Sequence, residues 1–365
     1  MGRILQTICF SWILFPAIEI ITIKNEGVLS MEANSTPLTS SELGNLWLDY
    51  QEKTMLLRFL EYLREHADDA DIQSIIHSAY EATKSFIHEI AQIFQADGAV
   101  VPIGFTAEDV HPGVPKLFDY LYEPMFLHMI SKIEVNLFAL HFTMSYRKDI
   151  RQLYERLEAS SQSIFNRCSQ LLLDKGVLVR PPYMSMPKEV SFVKDDSYLT
   201  GFKWIGEKRA LNAIEISLIH HAIETNLTGM QLMIGFAQVA NDRDVKNYFI
   251  KGMELSKGIE TTLGEFLRRD YIEPPATHAG KATNSTVAPF SDKLMMYLTN
   301  LLGAFGLGSN ALGGAFSLRS DLPLAMAHTA QKILPFLKEG AELMIRHGWL
   351  EEPPQVEDRR KLTRS

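Results

Sequence analysis

Only two cysteines, Cys9 and Cys168, occur in 365 residues, and so few exclude a disulfide framework. A basic excess is missing as well. Lys and Arg total 36 against 44 Asp and Glu, a formal charge of −8, which argues against a general nucleic-acid binder because such a protein needs a basic face. No phosphate-cradling loop, zinc-ligand cluster or nucleophile elbow stands in the chain. Long apolar runs are few: residues 4–23, broken by Pro16 and Glu19, and the uncharged stretch from Leu294 to Leu318. What remains, 46% apolar and 22% charged residues, is the composition of a globular chain, long enough for two domains of ordinary size.

A repeated unit fills that chain. It starts Asp-apolar at Asp71, Asp149, Asp244 and Asp321, and twenty-seven residues later stands Gly98, Gly176, Tyr271 or Gly348, with prolines just beyond. The apolar columns agree across the copies, as in Ile72, Ile150, Val245 and Leu322, or Phe86, Ile164, Ile259 and Phe336. Their separations fit a helical period, so each copy is an amphipathic helix with its stripe inward. Glycine supplies a left-handed C-terminal cap and proline prevents a restart. Tyr271 lacks that freedom, so the third copy is expected to end differently.

The first and third copies lie 173 residues apart, the second and fourth 172. The shift of 172 carries Ser145, Arg147 and Asp149 onto Ser317, Arg319 and Asp321. The chain is therefore a duplication. Each repeat helix is preceded by another, predicted over about Ser41–Ala67, Lys116–Arg147, Leu211–Ala240 and Ser291–Leu318. A Pro-rich crossing interrupts each half, at 102–116 and 275–290. Four helices with one long crossover are the ferritin-like arrangement. The predicted fold is all-α, two tandem ferritin-like four-helix bundles from an internal duplication. Its predicted parts are an apolar segment 1–35, a first bundle 36–183, a linker 184–209, a second bundle 210–354 and a polar tail 355–365.

The Leu46–Tyr50 stretch, the Gly-apolar-Pro ends and the duplicated halves resemble an uncharacterised family of endospore-forming bacteria, the domain-of-unknown-function family numbered three-two-three-one. The resemblance covers roughly Thr36 to Pro354 and implies a ferritin-like fold; it carries no residue roles. A more distant resemblance to spore-coat ferritin-like proteins adds a sporulation role as analogy only.

A di-metal centre in such a bundle needs a Glu on each of two helices and Glu-x-x-His on the other two. The one Glu-x-x-His here, Glu108 to His111, falls in a crossing, so the standard centre is not expected. Metal candidates remain on the fifth helix, where His220 and Glu224 share a face beside His221. Glu254, Glu260, His328 and Glu342 are their conceivable partners. A lone inward histidine is more often a hydrogen-bonded core residue. Cys168 sits in an apolar column with Ile90, Leu263 and Gly340 and reads as a packing thiol.

The five glycines of the seventh helix, from Gly303 to Gly314, cost helix stability, so something must approach that face. An apolar ligand, the other bundle or a second copy of the chain fits. Residues 1–30, if translated, read as an anchor or a signal peptide, although no clear small-x-small cleavage site follows the apolar run. Translation from Met31 is the preferred expectation, because Glu26-Gly27-Val28 can be encoded by a purine-rich bacterial ribosome-binding sequence just ahead of that codon. The three sequons at Asn34, Asn226 and Asn284 matter only in a secreted chain. The expected function is non-enzymatic, a cytoplasmic structural or binding protein linked to sporulation, with no cofactor. The alternatives are a metal-dependent oxidase or metal-handling protein using iron or manganese at the atypical site, and a membrane-associated protein.

Overall fold

The computed structural model describes residues 36–200, 208–276 and 279–363. The chain divides into two units, Met1–Pro37 and Leu38–Ser365. Nearly all of the first, with the apolar segment and the Met31 start, lies outside the described residues, as does the linker stretch around Trp204.

The second unit is all-helical. Its first half contains α1 (Ser40–His66), α2 (Ala70–Ala96), α3 (Tyr122–Thr143) and α4 (Lys148–Asp174). Its second half contains α5 (Ala213–Val239), α6 (Arg243–Arg269), α7 (Asp292–Phe316) and α8 (Asp321–Arg346). A short α9 (Arg359–Leu362) follows. Within each half consecutive helices pack in pairs, and the pairs pack on each other through α1 with α3 and α2 with α4, and through α5 with α7 and α6 with α8. The chain is thus two tandem four-helix bundles.

Local chemistry explains where these helices start. Thr39 and Glu42 form a reciprocal capping box at α1, and Asn212 with Glu215 forms its duplicate at α5. Asp69 and Asp242 cap α2 and α6 from two residues before the Asp landmarks. In α4 and α8 the landmarks Asp149 and Asp321 turn instead to the guanidiniums of Arg147 (2.6 Å) and Arg319 (2.8 Å).

The helix ends correct one expectation. Tyr271 does not end its helix differently. It takes φ +60°, beside +70°, +69° and +68° at Gly98, Gly176 and Gly348. The closing hydrogen bond is the same: Ile272 N donates to Leu267 O at 3.0 Å, as Ala99 N does to Phe94 O at 2.8 Å. The backbone of the motif wins, and tyrosine bears the left-handed strain of about 1–2 kcal/mol. Tyr271 is almost wholly exposed, so Tyr271→Gly removes no packing. We expect a gain of about 1 kcal/mol, seen as a rise of about 2–4 °C in Tm; an unchanged or lower Tm would count against the strain.

The third helix also differs from the sequence reading. It starts at Tyr122, not near Lys116, and Leu121 before it is left-handed at φ +68°. The preceding residues are held extended by the other crossing. Val110 bridges antiparallel to Phe290, and Phe118 to Ala282. His111 N donates to Pro289 O (2.8 Å), Thr283 N to Leu117 O (2.8 Å) and Asp119 N to Lys281 O (2.8 Å). A shift of 172 turns one bridge into the other, so an approximate two-fold axis relates the halves. Through this seam one hydrophobic core runs from bundle to bundle: the Phe59 ring stacks on Phe126 at 4.2 Å and on Phe290 at 4.3 Å.

The apolar α7 buries Leu294, Met295, Met296 and Leu298, while Leu312 and Phe316 near its end are exposed. Among the described residues no helix is long and apolar enough to cross a membrane.

Candidate functional site

Beyond the capping Glu42, helix α1 carries Asp49, Glu52 and Lys53 into the first bundle, all of them buried. Lys53 Nζ reaches across to Glu134 Oε1 on α3 at 2.5 Å and lies 3.8 Å from Glu52. The other oxygen of Glu134 accepts from Ser161 Oγ on α4 at 2.6 Å. One level along, Asp49 Oδ2 accepts from Tyr154 at 2.7 Å and meets His141 Nδ1 at 3.0 Å. These charges survive burial because they are paired.

Burial pulls the Lys53 pKa down, but Glu134 and Glu52 raise it by more, so the ammonium is held charged. Glu52 differs. Neither of its oxygens has a hydrogen-bond partner among the described residues. Burial raises its pKa well above the ordinary 4.5, and the Glu134 carboxylate adds to this against the pull of Lys53. A carboxyl raised in the fold contributes stability fully present below pH 4.5 and lost as pH climbs toward the folded pKa. We therefore expect stability to fall above pH 4.5 by up to about 1.4 kcal/mol per unit from this group. Glu52→Gln should flatten that limb of a denaturant-midpoint profile, and an unchanged slope would show that Glu52 is ionised.

If a di-metal centre were built in the first bundle at this level, Glu52 on α1 and Glu134 on α3 would be its two single carboxylates. The remaining helices offer Thr83 and Ser161 there, not Glu-x-x-His, and the Lys53 ammonium supplies the positive charge. This donor set does not fit a metal pair.

The same level exists twice. A small cavity of about 20 Å³ in the first bundle is lined by thirteen residues, Lys53, Glu134 and Ser161 among them. Shifts of 173 for α1 and α2, and of 172 for α3 and α4, carry twelve of these onto residues lining a cavity of about 90 Å³ in the second bundle; Ser160 is the exception. The chemistry changes on the way. Lys53 becomes Asn226, Glu134 becomes Gly306, Ser161 becomes Ile333 and Leu56 becomes Gly229. Asn226 Nδ2 donates to Ser256 O on α6 at 2.6 Å and does not cross the bundle. The two charges vanish together, as they must, since either alone would be a buried unpaired ion. The wall left behind is mostly apolar, with Leu232, Leu302, Ile333 and Phe336 among its residues.

The sequence candidates His220, His221 and Glu224 lie elsewhere, near the contact of α5 with α3. Glu224 Oε2 pairs with Lys132 Nζ at 2.9 Å, and its other oxygen is 4.0 Å from His128 Nδ1. Burial holds His128 down at about 4, and lowers His220 and His221 too. His220 is buried and its Nε2 has no partner among the described residues. The suggested partners do not converge on them: Glu260 pairs with Arg268, Glu342 with Lys338, and Glu254 and His328 are exposed. Among the described residues no three of His, Cys, Asp and Glu are grouped to hold a metal ion. Cys168 is fully buried, and burial pushes its thiol up to about 12, the packing role its column implies.

The sequence reading missed Glu52, Lys53 and Glu134. Their signal was present: charged residues in α1 and α3 at positions whose duplicates are uncharged.

The family model described as "Protein of unknown function (DUF3231)" matches twice, over residues 26–190 and 200–362. Among curated proteins nothing matches the chain. A crystal structure described as a "putative spore coat protein" from Bacillus halodurans C-125 is 20% identical, with a TM-score of 0.39, covering 41% of this chain and 98% of that one.

Proposed function

We propose a non-enzymatic binding role for this chain, which belongs to the family described as Protein of unknown function (DUF3231) through both of its halves. In this reading the first bundle is a closed scaffold and the second a receiving bundle. The observation that carries it is the Lys53–Glu134 pair. It neutralises the first bundle internally, at the level where a ferritin-like centre would be catalytic. The duplicated level, stripped of charge, keeps room, but its lining includes no Asp, Glu, His, Lys or Cys to activate its hydroxyls or hold a metal, so it suits binding better than bond-making. A ferritin-like ancestry, a cytoplasmic site of action and a sporulating cell as the setting belong to the same proposal, the last on the family resemblance alone.

Metal content tests it. The full chain, grown with iron, manganese and zinc supplied, is expected to carry far less than one equivalent. About one or two equivalents, lost on Glu134→Gln or on His221→Ala, would sink the non-enzymatic reading and restore an oxidase or metal-handling role.

A further inference from the structure

The cavity of the second bundle contains two polar atoms with no hydrogen-bond partner among the described residues. Asn310 on α7 is 5% exposed. Its Nδ2 donates to Gly306 O at 2.7 Å, which fixes the amide and leaves Oδ1 without a partner. Thr225 Oγ1 on α5 is buried and likewise unpartnered. Both residues line the cavity. Buried polar atoms are normally satisfied, so each such exception asks for an explanation.

Two glycines at the cavity ask for one too. A Cβ at Gly303 would run into Leu337 at 2.5 Å, so that glycine serves helix packing. A Cβ at Gly229 or at Gly306 would meet nothing within 4 Å, and both line the cavity. Glycine weakens a helix interior, and no neighbour requires it at these two places. In the first bundle the positions hold Leu56 and Glu134, which fill the equivalent space.

We propose that the second bundle binds a small hydrocarbon-bodied alcohol or phenol, its hydroxyl donating to Asn310 Oδ1. The apolar wall and the volume of about 90 Å³, below the about 150 Å³ of an apolar cavity that holds benzene, limit the ligand to a short chain or to a single ring for which the wall gives way. The flexible Met129 and Met233 of its lining can adapt to either shape. The free acceptor selects a donor on the ligand, and Thr225 Oγ1 is a second unpartnered group on the same wall. This inference rests on the binding role proposed above and adds the ligand class.

The test uses 4-fluorophenol and fluorobenzene, which differ by one hydroxyl, as fluorine NMR probes of the full chain. We expect 4-fluorophenol to bind about tenfold more tightly than fluorobenzene, and to be displaced by 1-butanol. Gly229→Leu restores the side chain found in the first bundle and should abolish binding while the melting transition stays intact. Asn310→Leu should bring the two probes to equal affinity. Equal affinity for the unmodified chain, binding that survives Gly229→Leu, or no binding by the folded protein would each overturn the proposal, the last leaving solvent as the occupant. Metal in the first bundle would defeat the non-enzymatic reading without touching these titrations, so the two can fail separately.

Discussion

Lys53→Met is expected to destabilise the protein by about 3–5 kcal/mol, because removing one member of a buried ion pair leaves the other uncompensated. Both side chains are less than a tenth exposed, so water cannot take the place of the lost partner. The contact is direct, at 2.5 Å, and the far side of Glu134 is closed by Ser161. Methionine keeps the length of the lysine stem, so the loss reports charge more than volume. The double change Lys53→Met with Glu134→Leu should recover most of the loss, since well-packed apolar replacements of buried pairs are often neutral. The second bundle is the precedent, lacking both charges at these positions. Guanidinium midpoints measure this series. A single-variant loss under about 1 kcal/mol would place the pair in an exposed setting.

Glu42→Ala and Glu215→Ala form the second large prediction, each costing about 2–5 kcal/mol. Both carboxylates are fully buried and are duplicates at the shift of 173. Glu42 accepts from the backbone of Thr39 (2.9 Å), Tyr146 (2.8 Å) and Arg147 (2.7 Å), tying the start of α1 to the α3–α4 corner. Glu215 accepts from Asn212 N and Arg319 N, both at 3.0 Å, and from both terminal nitrogens of Arg209. Alanine leaves those corner N–H groups buried and unpaired. Burial alone would raise the Glu42 pKa, but the Arg147 and Thr39 hydrogen bonds overcome it, and the net shift is downward. For Glu215 burial is again opposed, here first by Arg209, and the shift is again downward. A lowered carboxyl contributes stability above the ordinary 4.5 that is lost as pH falls through the folded value. Either variant should therefore show a shallower acid limb in a pH series of midpoints. A limb as steep as that of the unchanged protein would refute the assignment.

Much of this architecture is legible in the chain, and the reason is local. Gly98, Gly176 and Gly348 announce left-handed caps, and the apolar columns announce faces, because caps and faces are decided within a few residues. Tyr271 misleads for the converse reason: its neighbours impose a backbone its own preference opposes. The start of α3 misleads because Leu117 and Phe118 have helical spacing with Leu121, yet they are claimed by Thr283 and Ala282, some 165 residues away. The first-bundle site was hidden for the same reason. Lys53 and Glu134 are 81 residues apart, and either one alone reads as a surface charge. His220 and His221 drew notice because adjacent histidines are conspicuous, while the pairing of Glu224 with Lys132 needs two helices brought together.

The two crossings, each hydrogen-bonded to the other half, carry a consequence for descent. A single half has an unpaired crossing, and a second identical half is what completes it, through a self-complementary contact of the kind that makes two-fold dimers. In such a dimer every substitution arrives twice, once in each subunit. Losing a buried lysine would then empty both sites together. Joining the halves in one chain releases them from that identity. One copy can keep its internal salt bridge and hold the assembly rigid, while the other sheds its charges and drifts toward a different occupant.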